Sequence, residues 1–258
     1  MTTLQLQGQK VTIDQGELVG YVVEGHEYMH QKGSPGWRST DTEMFPIIGP
    51  TAEANFRVWT LKGEAVLDQH GLLREMPYEL KRSSTTMALF QKEYKAGTRV
   101  RNSKYPKKST EKELQWPYDF RFRKQFNLTP QGLEITFTIS GEEGMPFMLG
   151  YHPAFKLYTE TPLIRTGNRN IDLTEVLAVG NRALHLPDSH GVSLTDKKEL
   201  HVETQGFGHF MFWTEVPNMV CMEPISFYPY TVAQKDLHEG FEVLGEGERR
   251  FDVFIRPV

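Results

Sequence analysis

Two groupings of side chains in this sequence have the makings of a reaction centre. The first is local. His26-Glu-Tyr-Met-His30 fits the pattern H-E-x-x-H. On a helix, two histidines four residues apart hold one zinc ion while the glutamate polarises its water. The run continues Gln-Lys-Gly33-Ser-Pro-Gly36, close to the extended form of that pattern, but glycine stands where the third ligand belongs. The preceding Tyr21-Val-Val-Glu-Gly25 is β-branched and ends in glycine, and Gly33, Pro35 and Gly36 stop any helix within a turn. A strand entering a turn accounts for the segment better, so no metal centre is expected. The second grouping is dispersed. It comprises Glu43-Met-Phe-Pro-Ile-Ile-Gly49, Gln69-His-Gly-Leu-Leu-Arg-Glu-Met-Pro77, Leu149-Gly-Tyr-His-Pro-Ala-Phe155 and Val220-Cys-Met-Glu-Pro224. Each sets a titratable side chain, or a Gly/Pro corner, beside a hydrophobic strand. Such junctions are where β-scaffolds present functional groups. Glu223, ending the apolar run Val220-Cys-Met, is either a salt-bridged rim residue or a carboxylate in a half-dry cleft with a shifted pKa. Taken singly, a histidine or glutamate there is more often a packed or salt-bridged rim residue.

The elements that must position these groups follow a period of two. In Asp119-Phe-Arg-Phe-Arg-Lys-Gln-Phe126 the apolar residues are Phe120, Phe122 and Phe126. In Leu133-Glu-Ile-Thr-Phe-Thr-Ile-Ser140 they are Leu133, Ile135, Phe137 and Ile139. Asn127, Pro130, Gln131 and Gly132 lie between and supply turn chemistry, so a hairpin with one buried face is predicted. Alternation recurs at Leu4 and Leu6, at Val11 and Ile13, through Phe207, His209, Met211 and Trp213, and through Phe251, Val253 and Ile255. Helical patterns are short: Asp172 to Val179 and Ala233 to His238 each allow a turn or two. No repeat or linker interrupts the chain. The expected architecture is one all-β domain over residues 1–258, a sandwich or barrel.

Composition excludes several classes. The chain has 258 residues, a net charge of −4 and one cysteine, Cys221. No apolar run approaches the ~18 residues of a membrane span. A single cysteine makes no internal disulfide, and the start Met1-Thr-Thr-Leu-Gln-Leu carries no basic region before an apolar stretch, so a cytoplasmic location is expected. The charge gives no global pull toward nucleic acid or anionic lipid. One segment departs from that balance. Residues 92–112 hold eight Lys/Arg against two acids, a local +6. That is either a patch for phosphate or nucleic acid, or a solvated loop and guarded strand edge, the commoner meaning of such runs.

Together, the order F-P-I-I-G, H-G-x-x-R-E-M-P, G-Y-H-P-A-F-x-L and C-x-E-P resembles the aldose 1-epimerase (galactose mutarotase-like) family, in particular its short bacterial branch typified by LacX-type proteins. The Trp116-Pro-Tyr-Asp-Phe-Arg-Phe hairpin start and the Phe212-Trp-Thr run fit as well, so the likeness spans most of residues 20–258. It implies a large antiparallel β-sandwich and the interconversion of α and β anomers of an aldohexose through the open chain. That reaction needs one base and one acid on opposite sides of C1 and the ring oxygen, and no metal or cofactor. Carried over residue by residue, Glu223 matches the general base, His152 the acid at the ring oxygen, and His70 a histidine that positions the sugar. Arg74 matches a hydroxyl or anion clamp. Proton shuttling near neutrality suits a histidine near its ordinary pKa of ~6.5 and a moderately raised glutamate. Pro50 stands where the family motif usually carries a substrate-contacting arginine, for which Arg57 or Arg74 is the candidate replacement. Tyr151, Phe155, Trp213, Phe227 and Tyr228 offer an apolar platform, though core packing suits most of them. The implied partner is a small-molecule sugar, free or phosphorylated, with neither nucleic acid nor membrane, on a monomer or homodimer. A hexose 6-phosphate epimerase and a non-catalytic sugar-binding protein of the same fold remain as alternatives.

Overall fold

The structure is a computed structural model that describes residues 1–167 and 169–258. Its backbone is dominated by antiparallel strands, and the pattern of two is realised most fully in the predicted hairpin. Phe120–Thr129 pairs with Gly132–Gly141 in continuous register from Phe120↔Gly141 to Thr129↔Gly132. This hairpin lies inside a large sheet that, among the described residues, has nine strands. In spatial order they are Asn170–Asp172, Leu163–Arg165, Gly191–Thr195, Glu199–Gln205, Glu248–Pro257, Gly132–Gly141, Phe120–Thr129, Met87–Tyr94 and Glu79–Ser83.

A second sheet lies against it. Its order is Leu184–Leu186, His209–Trp213, Met219–Ile225, Gly150–Tyr151 and Glu43–Met44, with Ala154–Lys156 also pairing Met219–Ile225. The contact between the sheets is aromatic. Phe45 packs on Phe120 and Phe122, and Tyr151 on Phe137, with ring centroids 4.9–5.4 Å apart. Those offset and edge contacts are the favourable ring geometries, and the two inner faces make a β-sandwich. One hydrophobic cluster runs from Leu4 to Ile255.

The short helical patterns are present. Leu173–Val179 is an α-helix whose Asp172 side chain accepts from the Glu175 N–H, an N-cap. Gln234–Gly240 is a 3-10 helix. Among the described residues no helix is long and apolar enough to cross a membrane. The H-E-x-x-H run forms no helix: Glu17–Val23 turns at Glu24 and Gly25 into the short strand His26–Glu27. Glu27 spends Oε1 on the Tyr21 and Met29 N–H groups, and His30 Nε2 lies 2.9 Å from the Trp37 carbonyl. These are structural roles and leave no zinc cage there.

Candidate active site

The second sheet forms the floor of a cavity of about 830 Å³. Its central strand, Met219–Ile225, is buried at every position. Gly150 pairs with Ile225 and Ala154 with Cys221. That register sets His152 directly across from Glu223, and Met211 pairs Glu223 from the other side. Alternation puts His152, Glu223, Met211 and Trp213 on one face, and all four line the cavity.

His152 Nε2 lies 3.3 Å from Glu223 Oε1. The geometry is not that of a hydrogen bond: no described residue hydrogen-bonds to Glu223 Oε1 or to His152 Nδ1, and both atoms are buried. The His152 ring stacks on Trp37, with centroids 4.1 Å apart and planes at 28°. Burial pushes the Glu223 carboxyl up to about 8, with the Arg74 guanidinium pulling the other way. Burial, reinforced by Arg74, holds His152 well below the ordinary imidazole value. Both shifts exceed the sequence expectation, because the pair sits in a drier place than a strand end at the protein rim. The free pair therefore carries one proton at neutral pH, and it resides on Glu223.

His70 is brought to the same cavity by a loop pinned to the neighbouring segment. Its backbone N–H donates to the Gly49 carbonyl, and Phe45 N–H donates to its carbonyl. Gly71 has φ +77°, and a Cβ there would sit 2.1 Å from the Phe45 carbonyl oxygen, so only glycine allows this close approach. The Gly49 N–H donates to His70 Nδ1 at 3.3 Å, and His70 Nε2 lies 3.1 Å from the Gln69 side-chain amide nitrogen, so both ring nitrogens are held by neighbours. The His70 and His152 rings meet edge to face, 6.1 Å apart.

Arg74 follows in the 3-10 turn Leu73–Glu75. Its Nε donates to the Glu43 carbonyl at 3.4 Å, while Nη2 is buried with no hydrogen-bond partner among the described residues. Burial lowers its pKa to about 10 against the pull of Glu223 and Glu43, so it stays charged at neutral pH.

Four of the sequence-selected residues thus converge: Glu223, His152, His70 and Arg74. Two do not. Tyr151 is fully buried on the opposite face of its strand, with its hydroxyl donating to Asp41 Oδ2 at 2.6 Å. Arg57 lies on the hairpin Arg57–Thr60/Gly63–Val66, paired with Glu111 at 3.2 Å. Of the proposed aromatic platform only Trp213 reaches the cavity. Phe155 is core, Phe227 packs against Gly240, and Tyr228 stacks on His185. Trp37 and Tyr230 supply the rings that sequence reasoning missed, and Arg38 and Arg182 the unforeseen charges. Pro50 does line the cavity, and Arg74 and Arg38 line it as well. The basic segment contributes Lys104 and Lys108 to the rim, and Lys104 also pairs with Asp68 at 2.7 Å.

Known proteins share this architecture. A galactose mutarotase-like protein from Lactobacillus casei ATCC 334 superposes with a TM-score of 0.81 over 100% of both chains at 17% identity. A galactose mutarotase related enzyme from Lactobacillus acidophilus gives 0.76 over 99% of this chain and 97% of that one, at 23% identity. An aldose epimerase homologue from C. elegans gives 0.69 over 99% and 98%, at 10% identity. At such identities the likeness is one of fold. A search of the curated proteins finds no match. The family model for aldose 1-epimerase matches residues 57–209, more than half of the sequence, and the chain belongs to that family.

Proposed function

We propose that the protein is an aldose 1-epimerase that interconverts the anomers of an aldohexose by acid/base opening and closure of the ring. The observation that carries this reading is the His152–Glu223 pair, 3.3 Å apart on the floor of a cavity roomy enough for a sugar and holding one proton between them. In mutarotation O1 loses its proton, the C1–O5 bond breaks to leave an aldehyde, and O5 gains a proton. Rotation about C1–C2 and the reverse transfers give the other anomer. O1 and O5 share C1, so acid and base must act within a few ångströms of each other. His152 and Glu223, 3.3 Å apart on one sheet face, are within that reach of each other. With the shared proton on His152, this imidazolium protonates O5 while Glu223 takes the O1 proton. Arg74, whose charge favours the Glu223 carboxylate, supports that form. His70, held beside Gln69 in the cavity wall, positions the sugar.

A second reading of the substrate has its own support. Arg38, Arg74, Lys104, Lys108 and Arg182 line the cavity against the acids Glu53, Glu215 and Glu223. A surplus of cations favours an aldose that carries a phosphate or carboxylate.

The test follows the anomer ratio of freshly dissolved α-glucose, α-galactose and glucose 6-phosphate by NMR. Wild type speeds equilibration over buffer for at least one sugar, and Glu223→Gln and His152→Asn lower the rate by at least about a hundredfold, the scale of a lost acid/base group. Wild type equal to buffer across a broad aldose panel, with sugar binding retained, would instead identify a sugar-binding protein without turnover.

A further inference from the structure

The catalytic floor holds a third ligand-type side chain that proton transfer does not use. Cys221 lies two residues before Glu223 on the same strand, so its side chain projects from the same face. It is fully buried, beneath Trp37 and Trp213. A nitrogen of His152, the Cys221 sulfur and a carboxylate oxygen of Glu223 all lie within 4.8 Å of one another.

Around a tetrahedral ion, ligand distances of ~2.0–2.3 Å set neighbouring donor atoms about 3.3–3.8 Å apart. The His152–Glu223 separation of 3.3 Å already matches one such edge. It does so without being a hydrogen bond, which leaves Glu223 Oε1 unpartnered. With all three atoms inside 4.8 Å, bringing the sulfur to such a spacing requires a side-chain movement of about 1.5 Å at most.

We propose that His152, Cys221 and Glu223 form a binding site for a thiophilic divalent cation, with zinc as its type, and that the bound ion blocks the acid/base pair. A mixed sulfur, nitrogen and oxygen set suits zinc and cobalt rather than magnesium or calcium. Three protein ligands leave the fourth position open toward the cavity. On binding, the thiol and the Glu223 carboxyl each give a proton to solvent, and the metal–sulfur and metal–oxygen bonds form in their place. Two anionic ligands neutralise the ion, so the nearby Arg74 faces no net positive charge. The blocking half of the proposal rests on the mutarotase reading; the binding half does not.

The experiment titrates the metal-free protein with Co²⁺ alone. Wild type is expected to bind one equivalent and to show tetrahedral visible bands and a thiolate-to-cobalt charge-transfer band, both removed by added Zn²⁺. Cys221→Ser and Cys221→Ala, each checked for folding by thermal unfolding, lose the charge-transfer band. They bind Zn²⁺ at least about tenfold more weakly, since losing a ligand costs no less than losing a ligand's supporting hydrogen bond. No charge-transfer band in wild type, or the same band in folded Cys221 variants, overturns the site. In the anomerisation assay Zn²⁺ inhibits wild type at least about tenfold more strongly than Cys221→Ser, in line with that affinity loss. Equal inhibition of the two overturns the blocking role. A wild type inactive on every aldose overturns the mutarotase reading and the blocking role with it, while the cobalt spectrum still decides the binding site.

Discussion

At the scale of single residues, the pair His152 and Glu223 sets the behaviour with pH. Burial moves the two groups in opposite senses, the glutamic acid up to about 8 and the imidazole well below its ordinary value. Between those limits the pair holds one proton. Only that state can both give a proton to O5 and take one from O1. Below the lowered imidazole pKa a second proton occupies the base. Above about 8 the shared proton leaves. Measured from about pH 5 to pH 10 with the buffer rate subtracted, kcat/KM should describe a bell whose alkaline limb lies near the Glu223 value. A rate still rising beyond that limb would mean a lone carboxylate base and sink the shared-proton account. These residues were visible in the sequence because each is the titratable member of an otherwise apolar motif and is followed directly by proline. Tyr151 was misplaced for a reason equally visible: on a strand, the immediate neighbour of His152 points to the other face. The same rule sets Cys221 on the face of Glu223, a relation that sequence reasoning missed.

At the scale of elements, the strand Phe120–Thr129 shows what alternation conceals. Its buried face carries Phe120, Phe122, Phe126 and Leu128, and the position completing that series is Lys124, fully buried. Its Nζ meets Asp41 Oδ2 at 2.6 Å and Glu43 Oε1 at 2.8 Å. Burial raises Asp41 to about 6 although Lys124 pulls it down. This network holds Glu43, whose carbonyl anchors Arg74, and Asp41, which receives the Tyr151 hydroxyl. The strand pattern foretold the hairpin and its register. It did not foretell the partners of a lysine on the apolar face, because they come from a loop and the short strand after it, some eighty residues earlier. Lys124→Met leaves two carboxylates buried without their cation, so it should cost about 3–5 kcal/mol at neutral pH. The sign with pH is definite. Without Lys124 both carboxyls titrate above their unfolded values, so the deficit is present at high pH and shrinks as falling pH neutralises them. Urea unfolding of wild type and variant at pH 8 and pH 5 measures this; an equal deficit at both would show that lost packing, not charge, is responsible.

At the scale of the whole molecule, the net charge of −4 misdescribes the place where a substrate enters. The cavity is lined by cations drawn from remote parts of the chain: Arg38 from the Gly/Pro-rich loop before the second sheet, Lys104 and Lys108 from the basic segment, and Arg182 from the turn after the α-helix. Those loops carry no periodic signal, so only closure of the sandwich reveals that they share a rim. Arg38, Lys108 and Arg182 are exposed, where their charges act at longer range on an incoming anion rather than through fixed contacts. At 0.1 M salt the screening length is about 10 Å, comparable with the reach across such a cavity. For an anionic aldose such as glucose 6-phosphate, KM should therefore rise several-fold between low and high salt, while KM for neutral galactose stays level. Lys108→Glu, at an exposed position, should raise KM for the anionic sugar several-fold and leave kcat unchanged, because a rim charge assists encounter and binding but touches no reacting atom. Equal salt dependence for the two sugars would remove the anionic substrate from consideration and leave the rim cations as surface charge.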